Sequence, residues 1–305
     1  MAVYPIGGLI RQLRRQQNIT QQTLAYAAET DRSLIAKIES GKSMPTAYTL
    51  EKILKYLGYE PDKILDRFLG QEDTEIQRLK NELEAHLFHR RISEADKLIK
   101  QLEMNELFSN DNFQKQFLLK CKANNAIRKK EEWGKIREML TDAIKLTIPL
   151  YKEDDVGEYL LSRQGIELVN MTAISYFEES RLEQAIDIMY KLKKSCEKFR
   201  FDAASRSTEL ILIITNLTKY LGIAGRHKEV VELCDYGKRL CLDSGSLILL
   251  PKIIYNKAHA LHALGDKEPC ERLVKQAYYA CDLFELYIEK EIIHNGAASK
   301  FGVIL

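Results

Sequence analysis

The chain has 305 residues, of which 30% are charged and 45% hydrophobic, with six prolines and a formal net charge of +2. That length exceeds what one small core needs, so two domains, or a small domain and an extended array, are expected. No apolar run approaches the ~18 residues of a membrane span and the N-terminus lacks the layout of a signal peptide, so a cytoplasmic protein with no membrane partner is expected.

The charge is uneven: 10 Lys/Arg stand against 7 Asp/Glu through residue 70, and 36 against 37 beyond it. A mildly basic N-terminal segment and a neutral remainder point to nucleic-acid contact in the first segment only. The first helix buries Leu9, Ile10 and Leu13 and turns Arg11, Arg14 and Arg15 outward, by helical spacing. "NIT" ends it, and Thr20 caps a second helix that buries Leu24, Ala25 and Ala28. Asp31 caps a third, with Leu34, Ile35 and Ile38 inside and Gly41 at the position after its end. Pro45 and Thr46 open a fourth, and Pro61 starts a fifth through Phe68.

In this register "IGGLIRQLRRQQNITQQTLAYAAETDRSLIAKIESGKSMPTAYTLEKILKYLGY" (residues 6–59) resembles the lambda-repressor-type helix-turn-helix domain. The resemblance rests on Gly7, Ile10–Leu13–Arg14, Thr20–Gln21, Leu24–Ala25, Lys37–Ile38–Glu39, Gly41 and Pro45. It implies a third helix in the major groove, with its first residues at base edges. Arg32 then suits guanine, Ser33 a base or phosphate, and Lys37 follows one turn on. Arg14 and Lys42 suit phosphates, and the family's residue matching Gln21 sits at the start of the second helix, near the backbone and the third helix. Glu39 reads as a partner in an internal ion pair, and Arg15, Lys52 and Lys55 as solvated charges. Glu29 stands where the family turn usually has Gly, and Thr30 where it has Val or Ile. A left-handed Glu29 costs ~1–2 kcal/mol, and a slightly wider turn is expected.

From Thr74 onward, amphipathic runs alternate with short breaks at a period of about 40 residues, the sign of a helical-hairpin solenoid. The tetratricopeptide pattern, small at position 8 and 20, large at 11 and often Gly at 15, fits "NKAHALHALGDKEPC" with Ala258, Leu261, Gly265 and Cys270. It also fits Thr218, Leu221, Gly225 and Val230, then Ala173, Tyr176, Ser180 and Ala185. "KANNAIRKKEEWGKI" fits with Trp133 at position 17 and Ile136 at 20, and the first hairpin with Ala95 at 20. The expected fold is all-α: a helix-turn-helix domain over 1–70, then over 71–305 a right-handed superhelix of about five hairpins. These are placed at 74–105, 111–147, 154–197, 203–243 and 247–284, with a capping helix near 285–294.

Positions 2, 5, 6, 9, 12 and 13 of each first helix face the concave groove of such an array, and asparagine recurs there. Asn81, Asn216 and Asn256 fall at position 6, Asn170 at 5 and Asn125 at 9. Asn is a mediocre helix former, and its amide matches the C=O and N–H of an extended peptide. Lys122, Arg128, Lys219 and His259 stand nearby as cations for a carboxylate. Solvated or mutually bonded side chains are the plainer reading of the same residues.

The six cysteines, Cys121, Cys196, Cys234, Cys241, Cys270 and Cys281, form no CxxC pair and read as small buried apolar residues. His259 and His262 have no third ligand at fitting spacing, so no metal and no cofactor are expected. Without a phosphate-binding glycine loop or nucleophile elbow, no catalytic residue and no enzyme are expected.

The domain order resembles the RRNPP quorum-sensing regulators of Gram-positive bacteria. That resemblance implies a homodimeric transcription factor binding a double-stranded DNA operator and a short re-imported signalling peptide, held by groove asparagines. A repressor whose array docks a protein partner is the alternative, and an interaction scaffold is the remote one.

Overall fold

The computed structural model describes residues 5–59, 71–198 and 207–305. These are helical, with no strand among the described residues, and the chain divides into two compact units, Met1–Ala85 and His86–Leu305.

The first unit opens with α1 (Pro5–Gln16), α2 (Gln21–Ala27), α3 (Arg32–Glu39) and α4 (Ala47–Tyr56). Thr20, Asp31 and Thr46 cap the last three: each side-chain oxygen accepts the N–H three residues on, removing an orphan donor at the helix start. Ile10, Leu24, Ala25, Ile35, Ile38, Ile53 and Leu54 are wholly buried and form one core. Gly7 is required where α1 crosses α3, since a Cβ there would lie 1.8 Å from the Ile38 carbonyl oxygen. The fifth helix expected over 61–68 lies outside the described residues.

The turn between α2 and α3 keeps ordinary dimensions. Glu29 adopts φ +52°, its N–H donates to Tyr26 O at 3.1 Å, and the Thr30 N–H to Ala25 O at 2.9 Å. This is the Schellman closure that usually employs Gly, so the expected widening is absent. Glu29 is held from outside: its carboxylate accepts from Tyr48 Oη at 2.9 Å and pairs with Lys52, both on α4.

Next come α5 (Gln71–Phe88), α6 (Ile92–Glu103), the single turn α7 (Glu106–Ser109), α8 (Asn112–Lys129) and α9 (Trp133–Lys145). A 3-10 turn (Glu153–Glu158) precedes α10 (Arg163–Glu178) and α11 (Leu182–Lys198). The chain ends with α12 (Ser207–Ile223), α13 (His227–Ser244), α14 (Leu250–Leu264), α15 (Lys267–Leu283) and α16 (Tyr287–Gly296). These are the expected tetratricopeptide-like hairpins and final helix. The third hairpin starts later than 154, because 153–158 winds into the 3-10 turn and Ser162 caps α10 on the Gly165 N–H at 3.1 Å. Residues 203–206 of the fourth expected hairpin lie outside the described residues.

Each hairpin turns on one left-handed residue: Arg90, Lys130, Ser180, Gly225 and Gly265. In each the next N–H reaches back five residues, as from Arg226 to Leu221 O at 2.9 Å. Counting seven residues back from each gives Leu83, Ala123, Ala173, Thr218 and Ala258, all 0–1% exposed. The pivots therefore set a common register. All six cysteines are buried, and burial lifts the Cys234 thiol to about 12 and the Cys241 and Cys281 thiols to about 11.

Candidate functional site

On the first unit, Arg32, Ser33 and Lys37 project from α3 as exposed side chains, with Lys42 just beyond it. Arg32, Lys37 and Lys42 make no ion pair among the described residues. The Ser33 hydroxyl donates to the capping Asp31 carboxylate at 2.5 Å, so its oxygen remains an acceptor. Arg15, Asn18, Gln21, Gln22 and Arg32 line one open hollow. Arg15 reads from the sequence as a solvated charge, and nothing in the sequence marks Asn18 or Gln22. Their place beside Arg32 comes from the way the left-handed Asn18 turns α1 into α2.

Arg14 lines the same hollow, but its guanidinium is engaged within the unit and not left open as expected of a phosphate contact. Its Nε and Nη2 donate to Glu39 at 2.5 and 2.9 Å, and its Nη1 to Ile19 O at 2.7 Å. Gln21 Nε2 donates to the same carboxylate at 3.0 Å. Burial raises the Glu39 pKa, but the bonds from Arg14 and Gln21 outweigh it and hold the carboxyl below its ordinary value. Glu39 is thus the internal ion-pair partner its position suggested. The Arg14–Glu39–Gln21 set is a strut joining α1, α2 and α3, which fixes the pitch of the helix carrying Arg32.

In the array, bonds between the first helices of successive hairpins mark their shared face. Lys120 donates to Glu167 at 2.6 Å. Asn216 Nδ2 donates to Asn170 Oδ1 at 2.8 Å, and Asn256 Nδ2 to Thr215 O at 3.1 Å and Thr218 Oγ1 at 3.0 Å. Lys219 Nζ lies 4.4 Å from the Phe177 ring centroid, a cation–π contact. The asparagines therefore bond within the protein, as the plainer reading held. Asn170 Nδ2, Asn216 Oδ1 and Asn256 Oδ1 still have no protein partner among the described residues, leaving one donor group and two acceptors along this face.

The second hairpin corrects the expected register by one residue. Two residues, Glu131 and Glu132, separate its pivot Lys130 from the next helix, where the other hairpins have one. Anchoring on Trp133 and Ile136 therefore misplaced α8. Asn125 is 1% exposed and donates to Asp96 Oδ1 at 2.7 Å, and Lys122 pairs with Glu103; both face α6 and not the groove. Their neighbours Lys120 and Asn124 take the groove positions, with Arg128 Nε donating to Asn124 Oδ1 at 3.2 Å. The misleading signal is Trp133 and Ile136, which the extra residue Glu132 moves one position further from the pivot than in the other hairpins.

His259 is not the cation expected. It is half-buried, with ring centroids 4.7 Å from Tyr255 and 4.6 Å from Phe301. Burial first, then Lys300 and His262, push its pKa down to about 4. Among the described residues no group of His, Cys, Asp and Glu is arranged to hold a metal ion, and no helix is long and apolar enough to cross a membrane.

A helix-turn-helix unit followed by a tetratricopeptide-like array defines the class. Residues 7–67 match the family described as "Helix-turn-helix domain". Over nearly its full length the chain has the fold of PlcR from Bacillus thuringiensis, solved with the peptide PapR7 and DNA. Identity there is 20%, 96% of this chain and 99% of that one are covered, and the TM-score is 0.72. A variant of the Streptococcus dysgalactiae SHP pheromone receptor Rgg2 aligns at 13% identity, 97% and 99% coverage and TM-score 0.67. ComR from S. thermophilus, with DNA and its signalling peptide ComS, aligns at 16%, 95% and 98%, and 0.60. The chain thus shares the fold of the RRNPP-type regulators. No curated protein matches it in sequence.

Proposed function

We propose that the chain is a sequence-specific DNA-binding transcription regulator of the cytoplasm, controlled by a short signalling peptide in the groove of its array. One observation carries this reading: a helix-turn-helix unit with unpaired Arg32, Lys37 and Lys42 on its reading face stands in one chain with a peptide-receptor-like array. Arg32 and Lys37 reach base edges, Ser33 a base or phosphate, and Lys42 with Arg15 the backbone. Gln21 and Arg14 hold the helix in place. No catalytic role is assigned to any residue.

The ligand backbone lies along Asn170, Asn216 and Asn256, with Arg128 and Lys219 flanking it. Unpartnered amide groups there match the alternating N–H and C=O of an extended peptide, whatever its side chains. A homodimer sets two reading helices on half-sites ~34 Å or a multiple apart. What supports it is a group of exposed apolar side chains close in the chain, Leu283 (77%), Tyr287 (68%), Ile288 (65%) and Ile292 (58%), which a second copy would take out of water. The peptide acts through its differential affinity for two arrangements of that dimer.

The test uses the full chain and the peptide that co-purifies with it, identified by mass spectrometry. Asn216→Ala with Asn256→Ala is expected to abolish the peptide's effect on DNA binding and leave basal DNA binding intact. Unchanged peptide affinity by calorimetry in that double variant defeats the groove assignment.

A further inference from the structure

On α14 the groove face is already covered. Tyr255, His259 and His262 stand at groove positions 5, 9 and 12 of the fifth hairpin, and one side chain, Phe301, touches all three. Its ring centroid lies 5.9, 4.6 and 5.2 Å from theirs, edge to face in each case. Phe301 comes from a single π turn (Ala297–Phe301) that follows α16. Gly296, at the end of α16, passes so close to α14 that an added Cβ would lie 2.2 Å from the Tyr255 hydroxyl oxygen. The chain is thereby brought back across the inner face.

The seat is small. Ala297 and Val303 are buried in the terminal core, while Ala298, Ser299 and Lys300 are exposed. The Gly302 N–H donates to Ala298 O at 3.2 Å and the Val303 N–H to Ala297 O at 3.0 Å. A π turn is uncommon and frequently marks a functional position. Asn256, one residue after Tyr255 and at groove position 6, keeps an acceptor with no protein partner among the described residues. A peptide extended along Asn170, Asn216 and Asn256 therefore runs into the space that Phe301 fills.

We propose that segment 297–305 holds the fifth-hairpin end of the groove in place of a ligand, and that the signalling peptide displaces it by inserting an aromatic side chain of its own. This rests on the peptide-groove reading and adds the ligand's chemistry. The seat is lined by two histidine rings and a tyrosine ring, which take an aromatic face or edge. The amides beside it take backbone.

The probe is the segment itself, a labelled nonapeptide AASKFGVIL, with AASKAGVIL as its control. It is titrated by fluorescence anisotropy into the full chain and into the full chain carrying Phe301→Ala and Val303→Ala. The double variant is expected to bind AASKFGVIL at least tenfold more tightly than the unchanged chain, and AASKAGVIL tenfold more weakly. Equal affinities of the two chains, or of the two peptides, overturn the proposal.

If the double variant melts early, Phe301→Ala alone decides through the His259 ring signal in proton NMR. Its pKa moves from about 4 toward the ordinary ~6.5 once the seat opens, and a pKa unmoved in that variant overturns the proposal. The two readings fail separately. A chain that answers its co-purified peptide but shows equal nonapeptide affinities loses only the seat. A chain that takes the nonapeptide as expected but carries no regulatory peptide loses only the proposed function.

Discussion

The reading face and the groove treat polar side chains in opposite ways. On α3, Arg32 and Lys37 stand in water with no ion-pair partner among the described residues, while behind them Arg14 and Gln21 both bond to Glu39. In the array the groove groups themselves are bonded: Asn216 to Asn170, Asn256 to Thr218, Lys120 to Glu167, Lys219 over Phe177. A polyanion meeting Arg32 and Lys37 gains contacts and breaks none. A ligand entering the groove must exchange bonds already made, and net affinity comes from the difference. The arrangement fits a reader that is permanently built and a sensor that responds only to a ligand able to match what it replaces.

The strut behind α3 is the place where this contrast breaks most severely. Glu39→Ala leaves the Arg14 guanidinium, whose side chain is 11% exposed, buried without its carboxylate. Losing one partner of such a pair costs about 3 kcal/mol, read as earlier unfolding of the first unit by calorimetry. The pH dependence follows. Because the folded Glu39 pKa is depressed, the pair's contribution is complete above the ordinary carboxylate pKa and fades as pH falls through the folded value. Glu39→Ala should flatten that acid-side loss. A variant that melts with the unchanged chain at neutral pH removes the strut from the account.

The next effect is on DNA. Arg32→Ala removes an exposed group that makes no ion pair among the described residues, so stability should hold while affinity for a selected operator falls by about 1–3 kcal/mol, or ~5–150-fold. Lys42→Ala should weaken all sequences alike and flatten the salt dependence instead. Gel shifts across a salt series separate the two. An Arg32→Ala chain of unchanged operator affinity means α3 is not the reading helix.

What the sequence made legible follows the strength of its punctuation. Thr20, Asp31 and Gly41 each announce one local geometry, and the helix ends of the first unit stand where they place them. Gly225 and Gly265 do the same in the array, so Lys219, Asn216 and Asn256 come out on helices that bond to the first helix of a neighbouring hairpin. Where a pivot is Lys130, no residue type advertises the left-handed turn, and one extra residue after it rotated Asn125 and Lys122 out of the groove. Arg14 is ambiguous for another reason: a guanidinium bonds carboxylate and phosphate through the same fork, and only the approach of α1 to α3 at Gly7 reveals its pairing with Glu39. Phe301 was invisible because its contacts span about 40 residues, beyond any periodicity.

The smallest test returns to those pivots. Ser180 adopts φ +62°, which side-chain-bearing residues occupy at a cost, and its side chain makes no hydrogen bond among the described residues. Gly225 and Gly265 occupy the same turn position at φ +74° and +93° without that cost. Ser180→Gly should therefore stabilise the array by about 1 kcal/mol, seen as a small rise in the urea midpoint at constant m-value. Gly225→Ser should lower it by a similar amount. Glu29 in the reader is the contrasting case. It is equally left-handed, but its carboxylate ties Tyr48 and Lys52 to the turn. Glycine there relieves the backbone and loses those ties, so the gain expected at Ser180 should shrink or vanish. A full gain at both positions would mean that the Glu29 ties do not hold the turn, and that the reader's pivots are as interchangeable as the array's.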